Sequence, residues 1–126
     1  MKKFAFIGAG SFIFTRNLVR DLLSFPAFAD CELALMDTDP ERLERITAAV
    51  RKINAAMGTH ATITPTQSRA EALSGADGVL CTVFNGGIDV WRYDIEIPMQ
   101  FGVDINIGDT LCRPDAAFSA LCAISR

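Results

Sequence analysis

The spacing of apolar positions along the chain changes several times, and each change marks a structural element. Phe4, Ala5, Phe6 and Ile7 form an unbroken apolar run, so Lys3–Gly8 reads as a strand covered on both faces. Gly8-Ala9-Gly10-Ser11 interrupts it as a tight turn. The period then lengthens to that of a helix: Phe14, Leu18 and Leu22 recur every fourth residue, flanked by Val19 and Leu23, until Pro26 stops the helix near Phe25. Cys31–Met36 is a second apolar strand, closing on Asp37. Asp39 is placed to cap the next helix, with Pro40 in its first position and Glu41 adding negative charge to its first turn. Leu43, Ile46, Val50 and Ile53 carry the buried stripe of this helix, and Gly58 ends it.

Beyond Gly58 the elements shorten. Ala61–Thr64 is a third strand, Ser68 caps a brief helix over Arg69–Leu73, and Gly78–Phe84 is a fourth strand. Asn85-Gly86-Gly87 forms a turn, Tyr93–Phe101 is helical in part because Pro98 interrupts it, and Val103–Ile107 is a fifth strand. Strands alternating with helices predict an α/β fold: a parallel sheet with flanking helices and right-handed crossovers.

Composition narrows the possibilities. The 126 residues suffice for one domain, half of them are hydrophobic, and 21% are charged. A net charge of −3 and a pI near 5.0 give no electrostatic reason to expect nucleic acid or an anionic membrane as partner. Lys2 and Lys3 precede an apolar run too short for a signal peptide, and no stretch approaches the length of a membrane span. Cysteines at 31, 81, 112 and 122 lack the spacing of a zinc or redox motif and read as reduced thiols in a cytoplasmic protein. His60, the sole histidine, reads as a surface residue, and Trp91 and Tyr93 as packing residues. Arg42, Arg45, Arg51 and Lys52, with Glu41 and Glu44, make a solvated helix face.

The informative constellation is the first strand–turn–helix unit. Gly8 and Gly10 let the backbone turn sharply and approach a pyrophosphate, while Ser11 and Phe12 open a helix whose positive end favours the anion. Asp37, at the tip of the second strand, is placed to accept hydrogen bonds from both hydroxyls of an adenosine ribose. Together these features predict a Rossmann-like, NAD(P)-binding fold, incomplete at the C-terminus. The acid repels a 2′-phosphate, which favours NAD, and Arg42 nearby leaves NADP open. The third glycine of the usual pattern is replaced by Ile13. A plainer reading makes Gly8 and Gly10 mere turn residues and Asp37 a solubilising strand end. Asn85, Gly86 and Gly87 are placed at the carboxyl edge of the sheet to line the nicotinamide-side ribose, or else form a simple turn.

Phe6-Ile7-Gly8-Ala9-Gly10-Ser11, Ile13-Phe14 and Ala34-Leu35-Met36-Asp37, with Asp39-Pro40 and Arg42-Leu43-Glu44, resemble glycoside hydrolase family 4, nearest its α-galactosidase branch. Ala70-Glu71-Ala72-Leu73, Gly75-Ala76-Asp77, Gly86-Gly87 and Ile107-Gly108-Asp109-Thr110-Leu111 extend the resemblance, although Asn85-Gly86 is one residue short of the pattern. The resemblance implies a glycosidase that departs from two-carboxylate hydrolysis. Bound NAD oxidises the sugar at C3, a base removes the acidified C2 proton, a divalent metal (usually manganese) stabilises the enediolate, and elimination, water addition and reduction of C3 follow. It also implies a small-molecule α-glycoside as substrate and a homo-oligomeric whole enzyme. In the family the metal's cysteine and histidine and the candidate base follow the Gly108-Asp109-Thr110 motif, so no catalytic or metal-binding residue is assigned in this chain. Cys112 and Cys122 do not stand in the metal motif. A fragment of a 2-hydroxy-acid dehydrogenase, or a non-catalytic NAD-binding module, is the competing reading. For the dehydrogenase, Arg92 is the one candidate for the expected arginine-bearing loop.

After Leu111 the family pattern continues Gly-Pro-Gly-Gly, two apolar residues, then Arg-Ala-Leu-Arg. Here Cys112 to Arg126 reads differently, yet codons that permit Ala116–Arg126 yield Gly-Ile-Phe-Arg-Ala-Leu-Arg when read two bases later. A frameshift near residue 112 is therefore expected. It divides the chain into a partial NAD-binding domain, 1–111, and an aberrant tail, 112–126. On this reading the chain is a fragment, inactive alone, with apolar faces exposed to association.

Overall fold

A computed structural model describes residues 1–83 and 87–103, with the backbone alone at 87–91 and at 94. Two compact units divide at Val83 and Phe84. The first holds four strands, β1 (Lys3–Ile7), β2 (Glu32–Met36), β3 (Thr62–Thr66) and β4 (Gly78–Cys81). Three helices alternate with them: α1 (Phe12–Leu23), α2 (Pro40–Met57) and α3 (Arg69–Leu73), with a single 3-10 turn over Pro26–Phe28. The strands pair in parallel in the order β3-β2-β1-β4. The fold is the Rossmann-like parallel sheet that the alternation of elements predicts.

Period-2 geometry sends alternate residues of the central strands to opposite faces. Phe6, Leu33 and Leu35 join Val19, Leu23, Ile46 and Val50 in one buried cluster, under α1 and α2. Ala5, Ile7, Ala34 and Met36 form a second cluster with Ala72 of α3. Both faces are therefore covered, which is why β1 and β2 read as continuous apolar runs rather than alternating ones.

Several boundaries differ from the sequence reading for identifiable reasons. α1 ends at Leu23, and Pro26 opens the 3-10 turn. Its buried row is Thr15, Val19 and Leu23, while Phe14 is 62% exposed, so the apolar stripe is rotated away from the expected Phe14 line. A threonine can take the core position because its hydroxyl donates to the Ala9 carbonyl at 2.8 Å. β3 runs through Pro65 to Thr66, because it pairs with β2 alone and an outer strand tolerates a residue without an N–H. β4 stops at Cys81 instead of Phe84, as Thr82 turns to bond the glycine turn.

α2 begins as read: the Asp39 carboxylate accepts the N–H groups of Glu41 (2.9 Å) and Arg42 (3.1 Å). It ends at Gly58, where the N–H groups of Gly58 and Thr59 return to the carbonyls of Ala55 and Asn54. Ser68 caps α3 over the expected residues. At the N-terminal edge, Asp77 accepts from the Lys2 ammonium and the Lys3 N–H, each at 2.8 Å, tying β1 to the approach to β4.

In the second unit a helix, α4 (Gly87–Gln100), replaces the expected turn at Gly87 and partial helix from Tyr93. Pro98 lies inside it, in the last turn. There the Pro98 carbonyl still accepts from Phe101 and Val103 while Gly102 closes on Met99, so the missing N–H costs little. Tyr93 is half-exposed rather than packed, with the Arg92 guanidinium 5.4 Å from its ring centre. Arg92 is helical and pairs with Glu96 at 3.2 Å. Asn85, Gly86, the fifth strand beyond Val103 and the tail from residue 112 lie outside the described residues.

Candidate functional site

The strand order brings three chain segments to one point. β1 lies between β2 and β4, and the chain reverses its winding there, which opens a crevice beyond the carboxyl ends of the strands. The N–H groups of Gly8 and Ala9 both donate to the Met36 carbonyl, at 3.0 and 2.9 Å, fastening the turn after β1 to the tip of β2. On the other side the Thr82 N–H donates to Ile7 (2.9 Å) and the Thr82 hydroxyl to the Gly8 carbonyl (3.1 Å). Thr15 holds the next carbonyl, that of Ala9, from inside α1. The turn is thus clamped from both neighbouring strands and from the helix it opens.

Both glycines are needed for that geometry. Gly8 has φ +81°, and a Cβ there would stand 2.6 Å from the Thr82 carbonyl oxygen. At Gly10 a Cβ would meet the Asp37 carboxylate at 2.6 Å and the Arg42 Cβ at 2.8 Å. The space a side chain would fill is occupied by the acid itself. One oxygen of Asp37 accepts the Gly10 N–H at 2.7 Å, and the other accepts the Asp39 N–H at 3.0 Å. Two backbone donors thus fix the direction of the carboxylate at the mouth of the crevice.

α1 starts immediately beyond. Its ladder begins with Thr15 N–H to the Ser11 carbonyl, so the preceding N–H groups have no acceptor within the helix. The Ser11 hydroxyl makes no cap, and no acidic residue sits in the first turn to offset the positive end of the helix. Phe12, 45% exposed, is the first helical residue. The structure therefore brings Gly10 into contact with Asp37 beside the Gly8 turn, with Ser11 and Phe12 next along the chain at the start of α1. Gly87 is the first residue of α4 in the other unit, and Asn85 and Gly86 lie outside the described residues. Thr15 and Thr82 escaped the sequence reading. Thr82 fell inside the strand expected over Gly78–Phe84, and Thr15 lay off the expected Phe14 row, so neither stood out as a residue that holds the turn.

Other candidates stand apart from the crevice. His60 is exposed, and its backbone N–H donates to Ala29. Cys31 is buried, and burial pushes its thiol above the ordinary range, the state of an inert packing residue. Among the described residues no three His, Cys, Asp or Glu side chains converge to hold a metal. No helix among them is long and apolar enough to cross a membrane.

The profile described as family 4 glycosyl hydrolase matches residues 3–125. An α-galactosidase of Rhizobium meliloti (strain 1021) is 40% identical over 110 residues, which are 87% of this chain and 22% of that protein. An α-galactosidase of Bacillus subtilis (strain 168) is 35% identical over 112 residues, 88% of this chain and 26% of its own length. An α-galacturonidase of the same bacterium is 29% identical over 114 residues, with 86% and 24% covered. Among solved structures, a 6-phospho-α-glucosidase from gut microorganisms, crystallised with NAD and glucose-6-phosphate, superposes with a TM-score of 0.64 at 26% identity, covering 82% of this chain and 23% of that one. The chain thus spans about a quarter of the length of the relatives it matches.

Proposed function

The chain belongs to family 4 of the glycosyl hydrolases, and from that membership we propose that this stretch is the NAD-binding part of an α-galactosidase-like enzyme. One observation carries the proposal: the glycine turn and the acid are joined through the 2.7 Å contact between the Gly10 N–H and the Asp37 carboxylate. That contact sets the turn that would face a pyrophosphate beside an acid suited to ribose hydroxyls. Gly8 and Gly10 let the turn close tightly against Thr82 and Asp37, and the N–H groups at the start of α1 and the Ser11 hydroxyl would donate to the phosphates. Asp37 accepts from the ribose 2′- and 3′-hydroxyls with the lone pairs its two backbone contacts leave free. Phe12, exposed as the first residue of α1, would flank the dinucleotide there. Asn85, Gly86 and Gly87 stay assigned to the nicotinamide side on sequence grounds.

When bound, NAD would accept the hydride from the sugar's C3–H as the C3 hydroxyl gives up its proton, which starts the elimination route the family resemblance implies. We assign no base and no metal ligand to this stretch; manganese belongs to the reaction as the family performs it. The division at residue 111, with 112–126 as an aberrant tail, rests on the shifted reading frame alone, since the family profile matches residues 3–125. We propose that the whole enzyme works in the cytoplasm, a reading supported by its expected need for NAD and by the free thiol of Cys31.

Titration calorimetry of the purified chain with NAD tests this reading. Measurable binding is expected, and Asp37→Ala should weaken it by about tenfold or more, the worth of hydrogen bonds to a charged acceptor. A chain that binds no NAD overturns the proposal. We also expect no hydrolysis of p-nitrophenyl α-galactoside by this stretch with NAD and manganese; turnover would show that the chemistry does not need the rest of such an enzyme.

A further inference from the structure

Resting on the dinucleotide reading above, we infer that Asp39 is a second specificity-determining residue of the adenosine side: by holding the Arg42 guanidinium it withholds a cation that a 2′-phosphate would need. The two side chains that could read the ribose 2′ position abut the same backbone carbon, since a Cβ on Gly10 would touch both the Asp37 carboxylate and the Arg42 Cβ. Arg42 therefore rises directly beside the acid that accepts the 2′-hydroxyl. A nearby arginine is the usual means of accommodating a 2′-phosphate in this fold.

Here that arginine is already engaged. The Arg42 Nε lies 3.4 Å from Asp39 Oδ2, while Asp39 Oδ1 takes the N–H groups of Glu41 and Arg42. Asp39 in turn donates its own N–H to Asp37. Acid, second acid and arginine form one bonded chain at the α2 N-terminus, with two negative charges against one positive. A 2′-phosphate would add about two more negative charges to that surplus. Releasing the arginine would present a planar fork suited to phosphate. The pair is exposed, 65% and 44%, so holding it is a modest constraint, released by a single substitution.

The test measures NAD and NADP binding to the full chain by calorimetry. Asp39→Asn keeps the helix cap, because asparagine caps as well as aspartate, and removes the charge that holds Arg42. NADP affinity should rise by roughly three- to tenfold while NAD affinity stays within about twofold, in keeping with the loss of a weak exposed pair and one repelling charge. Asp39→Ser, a cap without charge or amide, should behave alike, with helicity by circular dichroism unchanged for both. Adding Arg42→Ala to either variant should erase most of the gain. An absent gain, or one that persists at full size without Arg42, overturns the inference while NAD binding stands. Failure of the unmodified chain to bind either dinucleotide overturns the parent reading and this inference with it.

Discussion

At the scale of single residues, the two glycines of the turn do different work, and their substitution should separate stability from binding. Gly8 is left-handed and would drive a Cβ into backbone, the Thr82 carbonyl, which cannot swing aside. Gly8→Ala should therefore destabilise the fold by about 1–3 kcal/mol from strain alone. Gly10 is not left-handed, and a Cβ there would meet the Asp37 carboxylate, which can swing aside, and the Arg42 Cβ, which α2 holds, so Gly10→Ala should cost less stability than Gly8→Ala while losing NAD affinity through the displaced acid. Urea unfolding and NAD titration of both variants check the contrast, and equal stability losses would refute it. Both glycines and Asp37 were legible because their pattern of strand, turn, helix and acid-tipped strand is local. Phe14 was misread because a four-residue spacing defines a helical row without saying which flank meets the sheet. Thr82 was missed because its partner, the Gly8 carbonyl, is remote in sequence.

At the scale of elements, α2 was the most legible. Its start, its stop and its buried residues Leu43, Ile46 and Val50 all follow from capping chemistry and a clean 3.6-residue period. Ile46 is fully buried in the cluster between α2 and the sheet. Ile46→Ala should cost about 2–5 kcal/mol, with m unchanged in urea, since it removes methyl groups from a site that cannot collapse. A loss under 1 kcal/mol would mean the α2 packing is wrong. α4 was the least legible: Pro98 argued against a continuous helix, yet a proline so near the end forfeits a single bond, and the Phe101–Val103 turn closes the last carbonyls.

At the scale of the whole first unit, Asp77 fastens strands far apart in sequence. The Lys2 ammonium and the Lys3 N–H hold the Asp77 carboxyl below the usual carboxylate range, and Asp77 holds Lys2 above the usual amine range. The depressed carboxyl contributes stability that is fully present above its unfolded value and is lost as pH falls through its folded value. The raised amine contributes below its unfolded value and loses that contribution as pH rises past its folded one. Thermal unfolding between neutral and acid pH should show Tm falling less steeply for Asp77→Asn than for the unmodified chain; parallel curves would remove Asp77 from the account.

What the chain determined by itself was local: where strands and helices lie, how α2 and α3 are capped, and that a glycine turn and an acid end successive strands. These follow from neighbours within a few residues, which is the range over which period and capping act. Tertiary structure decided the rest. The order β3-β2-β1-β4 sets Thr82 against Gly8, the packing of α1 turns Thr15 rather than Phe14 inward, and the parallel pairing of β1 with β2 lays the Asp37 carboxylate where a Gly10 side chain would have been. Such contacts join residues 27 to 74 positions apart. Their physical cause is the burial of two sheet faces at once, which no window of sequence contains.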